Sequence, residues 1–383
     1  MRRYTINMLL ALAAVLLVLM AQTNLMDKYA LQIVMLIGIN CIFATSLNLV
    51  NGYMGEFSCG HAGFMCVGAY VGSLLSVAFF SDSALFGQAL FGPEWALALF
   101  PLVLIGAMIA AAVAGLLVAL PSFRTRDDYL AIITIAANYI VISIIENIDA
   151  IGGPRGFSGM KKTVNAMADS VNTLLDGFVG FLGFDFVVSD SDYAMSAAVV
   201  MLIWTLIGAF ICVQVIRRLM TSTYGKSISA ICQNEVAAEI MGINTNRAKI
   251  MAFMISSGLG GLAGVLYAHV YGYVNAQSFN LLKSTEGLVM VYLGGMGSLS
   301  GVLLAAVAFT LLVELLRFVI PWLNTTLHEV NLLPADYQLD QIWTWVIIPL
   351  MLILLMQFRP EGFLGNRELT HVFPGLKRWF TLK

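Results

Sequence analysis

Residues 52–64 read GYMGEFSCGHAGF. Four glycines, a glutamate and a histidine stand there, directly after the apolar run LQIVMLIGINCIFATSLNLV (31–50) and just before another that reaches residue 80. Glycine releases the backbone from helical geometry, yet lipid offers no partner for a freed amide or carbonyl. The stretch therefore predicts a helix break at membrane depth, tolerated only where protein or a water-filled cavity satisfies the backbone.

Composition makes that setting firm. The chain has 383 residues, is 60% hydrophobic and only 11% charged, against roughly 25% charged in soluble domains. Its mean hydropathy is +0.87. These values predict an all-α integral membrane protein, a single transmembrane domain over 1–383, with length for about 10 spans. Apolar runs place them near 6–22, 29–50, 61–80, 95–120, 129–149, 193–218, 247–270, 286–297 (short), 299–320 and 341–357. The run 6–22 has the charged start of a signal peptide, but Ala21-Gln22-Thr23 is a poor cleavage site, so an uncleaved helix is expected.

With the N-terminus inside, segments 2–3, 124–126, 217–249 and 359–383 are cytoplasmic and hold 14 of the 20 Lys and Arg residues, as the positive-inside rule requires. Both termini are then cytoplasmic, the last as a tail from 358, in a multi-pass membrane protein. The loop 150–192 faces outward, opening with the turn cluster IGGPRGFSGM and containing DGFVGFLGFDF, apolar enough to lie on the membrane surface or pack on the spans. Cys41, Cys59, Cys66, Cys212 and Cys232 include no C-x-x-C pair, so neither a disulfide frame nor a zinc site is indicated.

The loop 217–249 is different: basic at both ends and helical in pattern. Ile228, Ile231, Cys232 and Ala238 recur on one face, Asn234, Glu235 and Glu239 are polar, and Gly242 ends the helix. A solvated linker would leave Ile228, Ile231 and Met241 as exposed apolar surface, so this cytoplasmic helix is expected to touch something.

A weak repeat is also present. GYMGEFS (52–58) and GGMGSLS (294–300) agree at Gly, Met, Gly and Ser in one register. Paired interruptions in two halves of a transporter point to the substrate path. Gly52, Gly55, Ser58, Gly60 and His61, with Gly294, Gly295, Gly297 and Ser300, are the candidate lining.

Enzymatic readings find little. Gly225-Lys226-Ser227 ends like a P-loop, but Met220 stands where its first glycine belongs and no strand precedes it, so the chain has no ATP site of its own. No H-E-x-x-H occurs, and His61, His269, His328 and His371 are scattered. Ser58 and His61 are three apart, but Glu56 breaks the G-x-S-x-G pattern, and no catalytic residue is assigned. GLGGLAG (258–264) lies inside a span, where Gly260 and Gly264 form a G-x-x-x-G face for packing a helix. Glu314 and Arg317, i and i+3, can neutralise each other, while Glu146 and Glu286 sit near span ends. No chain of buried acids suggests a proton or cation pathway. An ion-coupled carrier or channel stays as the alternative from another class, and Glu56 and His61 stay open between gating and packing.

Three blocks resemble the branched-chain amino acid type of ABC importer permease: LNLVNGYMGEFSCGHAGFMCVGAY (47–70), GKSISAICQNEVAAEIMGINTNRAKIMAFMISSGLGGLAGVLYAH (225–269) and VYLGGMGSLSGVLLAAVAFTLLVELLR (291–317). With IGGPRGFSGM (151–160), the likeness runs in consistent order from 47 to 317. It implies a type II-like importer fold with broken or re-entrant helices, a second similar permease, two ATPase subunits using ATP and Mg, and an extracytoplasmic solute-binding protein. It also implies a place in the bacterial inner membrane, surrounded by lipid, with no nucleic acid involved and no cofactor bound by the chain itself. The resemblance makes the helix in 217–249 a coupling helix, with Gly225, Lys226, Ile228, Ile231, Glu235, Ala237, Ala238 and Gly242 at the ATPase contact. Val236 interrupts the family's Glu-Ala-Ala motif. The implied substrate is a branched-chain or other small neutral amino acid, with urea or short amides as the rival.

Overall fold

The computed structural model describes residues 15–23, 26–82, 86–123, 129–181, 194–329, 341–358 and 362–363. The expected start of the first span (6–14), the basic turn 124–126, the loop part 182–192 and most of the C-terminal tail (359–361 and 364–383) lie outside those residues. The described part is mainly helical, with short irregular connections and one two-stranded pairing.

Helix α1 occupies 15–22, followed by α2 (Lys28–Asn48), α3 (His61–Phe80), α4 (Ala96–Ser122), α5 (Tyr129–Glu146), α6 (Met160–Phe181) and α7 (Ala197–Thr221). Two short helices, α8 (Thr223–Gln233) and α9 (Glu235–Ile240), lead into α10 (Thr245–Tyr271), α11 (Leu281–Gly294), α12 (Leu299–Glu329) and α13 (Thr344–Phe358). Among the described residues seven helical stretches are long and apolar enough to cross a membrane: Lys28–Met54, His61–Phe80, Pro93–Ser122, Tyr129–Glu146, Ala197–Thr221, Thr245–Tyr271 and Leu299–Thr326. Helix α11, on the run expected to be short, has 14 residues; at ~1.5 Å per residue it falls short of a ~30 Å hydrocarbon layer.

Helix α10 forms the centre because its buried side is made of small residues, Ser256, Gly258, Gly260, Gly261, Ala263 and Gly264 among them. Backbones meet there directly. A Cβ on Gly264 would lie 1.9 Å from the Met65 carbonyl oxygen, one on Gly68 2.3 Å from Gly261 Cα, and one on Gly115 2.0 Å from Ser257 Oγ. Glycine thus lets α3 and α4 close on α10, where dispersion between backbones replaces the hydrophobic drive that lipid removes. The outward faces stay apolar: Leu102, Ile105 and Ile109 on α4, and Ile132, Ile140 and Ile144 on α5, are all exposed.

Helix α12 runs antiparallel to α2. Asn40 Nδ2 donates to Thr310 Oγ1 at 2.9 Å in the buried seam, and the Tyr29 hydroxyl donates to Glu314 at one end. Arg317 lies 3.9 Å from the same carboxylate, so the expected Glu314–Arg317 pair is shared with Tyr29.

The bundle has two distinct ends. One carries α6 and the pairing of β1 (Phe157–Ser158) with β2 (Tyr273–Val274). Of the stretch 176–186, expected to meet the membrane or the spans, 182–186 lie outside the described residues; residues 160–181 form an amphipathic helix. Met160, Thr163, Val164, Met167 and Ala168 are buried on one side of it, and Ser76 Oγ donates to Thr163 Oγ1 at 3.0 Å. At the same end Gln277 Nε2 donates to Glu146, and Lys283 pairs with Glu286 at 2.7 Å. The opposite end carries α8, α9 and both glycine breaks.

Gly264→Ala is expected to lower stability by about 1–3 kcal/mol through overpacking. Gly177→Ala, whose Cβ would meet nothing within 4 Å, is expected to raise it by ~0.5–1 kcal/mol. Thermal unfolding in detergent checks both, and equal effects would contradict the close-packing account.

Candidate functional site

The first break begins as a change of helix type. After Asn48 the chain winds as a π-helix, Leu49–Met54, ending at Gly55 with φ +77°. Widened turns of this kind are rare and concentrate at functional sites. Irregular backbone then runs to Gly60, and side chains take up several of the groups freed there. Asn51 brackets Ser58, accepting from its N–H at 3.3 Å and donating to its carbonyl at 3.4 Å. The Cys59 N–H donates to Thr134 Oγ1 at 3.2 Å, and the Ala62 N–H to Ser284 Oγ at 3.1 Å. Gly60 lies so near α5 that a Cβ would sit 1.8 Å from the Thr134 carbonyl oxygen.

His61 opens α3 inside the bundle. Its Nε2 lies 2.9 Å from Ser46 Oγ, the rings of Phe43 and Phe64 stand 5.6 and 5.8 Å away, and Gly260 leaves room for the imidazole. Ser58 Oγ is buried and makes no hydrogen bond. The Ser58/His61 pair considered from sequence is therefore not formed.

The second break lies against the first. Asn48 Oδ1 accepts from the Gly297 N–H at 3.1 Å, and a Cβ on Gly52 would fall 2.4 Å from that same nitrogen. Gly294 packs on Gly301 with a hypothetical Cβ 2.6 Å from its carbonyl carbon. Gly55 and Gly297, equivalent in the repeat, have φ +77° and +78°. The two copies thus share a left-handed glycine at the same position as well as four residues. Gly295 also takes a positive φ of +99°, and Ser300 lies half-buried at the start of α12.

Helices α8 and α9 sit on this junction. The single amphipathic helix expected over this segment is two, because Asn234 leaves helical geometry (φ −161°, ψ 108°) and caps α9, accepting from the Ala237 N–H at 3.0 Å. Ile228 and Ile231, expected to need an outside partner, are instead 1% and 5% exposed. Ile228 packs with Val50, Met54, Phe64 and Phe253, and Ile231 with Ala238 and Ala248. Gly225 is buried on Met220, whereas Lys226, Glu235 and Ala237 are exposed. Gly242 turns the chain into α10 with φ +86° and open space around it. The apolar groups that do face outward are Val236, Ile240 and Met241, at 66%, 80% and 81% exposure.

Cys232 reaches the break itself, its Sγ 2.8 Å from where a Gly55 Cβ would be. Burial, and then the nearby Glu56 carboxylate, raise its thiol pKa above the ordinary value. Lys249 Nζ lies 2.7 Å from Glu56 Oε1 and 2.9 Å from Glu235 Oε2. Glu56, open between gating and packing in the sequence, is thus an ion-pair partner in the structure. Asn48, Asn51, Thr134 and Lys249 were not singled out from sequence. The only hint for the first two was a pair of amides, three residues apart, at the foot of an apolar run. Among the described residues no three His, Cys, Asp or Glu side chains form a metal-binding group.

Long apolar helices, paired glycine breaks and an amphipathic helix seated on them are the features of a membrane transport subunit. The model of the family described as branched-chain amino acid transport system / permease component matches residues 29–356. The chain belongs to this permease family. It is 30% identical over 365 residues to the high-affinity branched-chain amino acid transport system permease protein LivM of Escherichia coli K12, covering 94% of this chain and 76% of the relative. A probable LivM permease of Methanocaldococcus jannaschii is 25% identical, covering 91% and 96%. The permease protein BraD of Pseudomonas aeruginosa is 26% identical over 151 residues, 39% of this chain and 43% of the relative. No solved structure matches the chain.

For this permease, Gly52→Ala is expected to lower stability by about 1–3 kcal/mol, since its Cβ meets both Asn48 and Gly297. Ser58→Ala is expected to stay within about 0.5 kcal/mol. Thermal unfolding of the purified chain compares them; a larger loss for Ser58→Ala would overturn the packing assigned to the break.

Proposed function

We propose that this chain is the membrane-spanning permease subunit of an ATP-driven importer for branched-chain or other small neutral amino acids. The observation that carries the proposal is the seating of α8 on the first glycine break, with α9 holding Val236, Ile240 and Met241 out to solvent beside it. A large exposed apolar group at a bundle end marks a contact surface. A contact made there reaches the break through Ile228 and Cys232 without crossing lipid. Family membership and the names of the relatives support the substrate class.

In this proposal the end with α8 and α9 is cytoplasmic, as are both termini, and α9 docks on an ATPase. Two such ATPases use ATP and Mg, and this chain performs no hydrolysis. A second permease completes the pathway, a solute-binding protein delivers substrate to the end carrying α6, and the fold is of the type II importer class. Transport is alternating access. The segments 52–64 and 294–301 serve as its hinges: their glycines take positive φ or close backbone contacts, which permit change at few dihedrals.

The test is leucine uptake into vesicles holding the whole assembly. Uptake is expected to require ATP, and Ile240→Asp with Met241→Asp is expected to reduce it by at least ~10-fold, the loss of about 1.4 kcal/mol of contact energy or more, with less ATPase co-purifying. Uptake that proceeded without ATP would contradict the proposal.

A further inference from the structure

Lys249 stands where four elements meet. It lies in the first turns of α10, its Nζ binds Glu56 of the break and Glu235 of α9, and the ring of Phe123, at the foot of α4, lies 6.0 Å from it. Its side chain is 11% exposed, that of Glu56 23% and that of Glu235 46%. An ion pair open to water adds little, because solvent screens it. Here the ammonium and one carboxylate are largely withdrawn from water at the edge of an apolar bundle, so removing one charge strands the other.

The two carboxylates belong to segments that cannot position themselves. Glu56 lies in irregular backbone between Gly55 and His61, and α9 has six residues, too few to hold a helix in water. Apart from its chain ends, α9 is held by the buried Ala238, by Thr245 Oγ1 donating to Glu239 at 2.9 Å, and by the Lys249–Glu235 pair. The contacts from α8 to the break, through Ile228 and Cys232, do not include α9. Lys249 joins the break to α9 directly.

We propose that Lys249 is a positioning residue that makes the glycine break at 52–60 and the exposed helix α9 move as one body, with Glu56 and Glu235 as its two handles. This deepens the importer reading and rests on it for the direction of force: displacement of α9 by an ATPase reaches the hinge through one ammonium group. Coupling of this kind runs through a contiguous chain of contacts whose equilibrium both ends bias.

The experiment uses the assembled complex in vesicles with Lys249→Met, which keeps the apolar stem, and Glu56→Gln. Hydrogen–deuterium exchange is followed for the peptides covering 52–60 and 234–243, with and without ATP. In the parent both peptides are expected to respond to ATP together. In Lys249→Met the break is expected to exchange about 10-fold faster and lose its response while α9 keeps its own, and uptake per ATP hydrolysed is expected to fall about 10-fold. The full charge exchange, Glu56→Lys and Glu235→Lys with Lys249→Glu, is expected to restore the joint response, which a general loss of folding would not allow. Unchanged exchange of 52–60 in Lys249→Met, or a loss that the charge exchange fails to restore, overturns the proposal. Uptake by the parent without ATP would overturn the importer reading instead, and the exchange comparison would still decide whether Lys249 joins the two segments.

Discussion

A backbone amide inside a membrane must find a partner within the protein, and the architecture of this chain follows from how it meets that demand at two places. Water would satisfy the groups freed at 55–60 and 295–298; lipid cannot. Asn51, Thr134 and Ser284 supply partners at the first break, and Asn48 supplies one at the second. Each such side chain must sit within hydrogen-bond reach, so α2, α5 and α11 are all drawn to the break. Glycine makes the approach possible, since an added Cβ at Gly52, Gly60 or Gly294 would overlap a neighbour's atoms.

The same demand joins the two breaks to each other. Asn48 spans them, with its Oδ1 on Gly297 and Gly52 beside it, so that neither segment shifts without disturbing the other. On this junction rests α8, held by apolar contact through Ile228 and by Cys232 against Gly55. Both breaks and the helices α8 and α9 therefore occupy one end of the bundle. The opposite end, with α6 and the short strand pairing, is built separately from an amphipathic helix and a turn cluster.

Much of this was legible in the sequence. Hydropathy and the positive-inside pattern gave the membrane class, and the echo of 52–58 in 294–300 pointed to two segments that prove to touch. The run 286–297 read as short, and α11 there has 14 residues. The amphipathic pattern of 223–242 showed a helical face but not which object it meets: Ile228 and Ile231 meet the bundle, and Val236, Ile240 and Met241 meet solvent. The break at Asn234 was hidden because an Asn within a helical pattern is tolerated, and only its cap bond to Ala237 identifies it as a boundary. Lys249 was hidden for a different reason. It is 193 residues from Glu56 in the chain, and sequence spacing carries no information about a pair that only the fold assembles.

The central claim is mechanical: the first glycine break and the helices seated on it form one unit that moves against the rest of the bundle. Pulsed electron spin resonance on the assembled complex measures this directly, with labels at the exposed positions Phe57, Met241 and Leu174. The account predicts that the distance between 57 and 241 stays constant when ATP is added, while both distances to 174 change. A change between 57 and 241 with no change to 174 would contradict it.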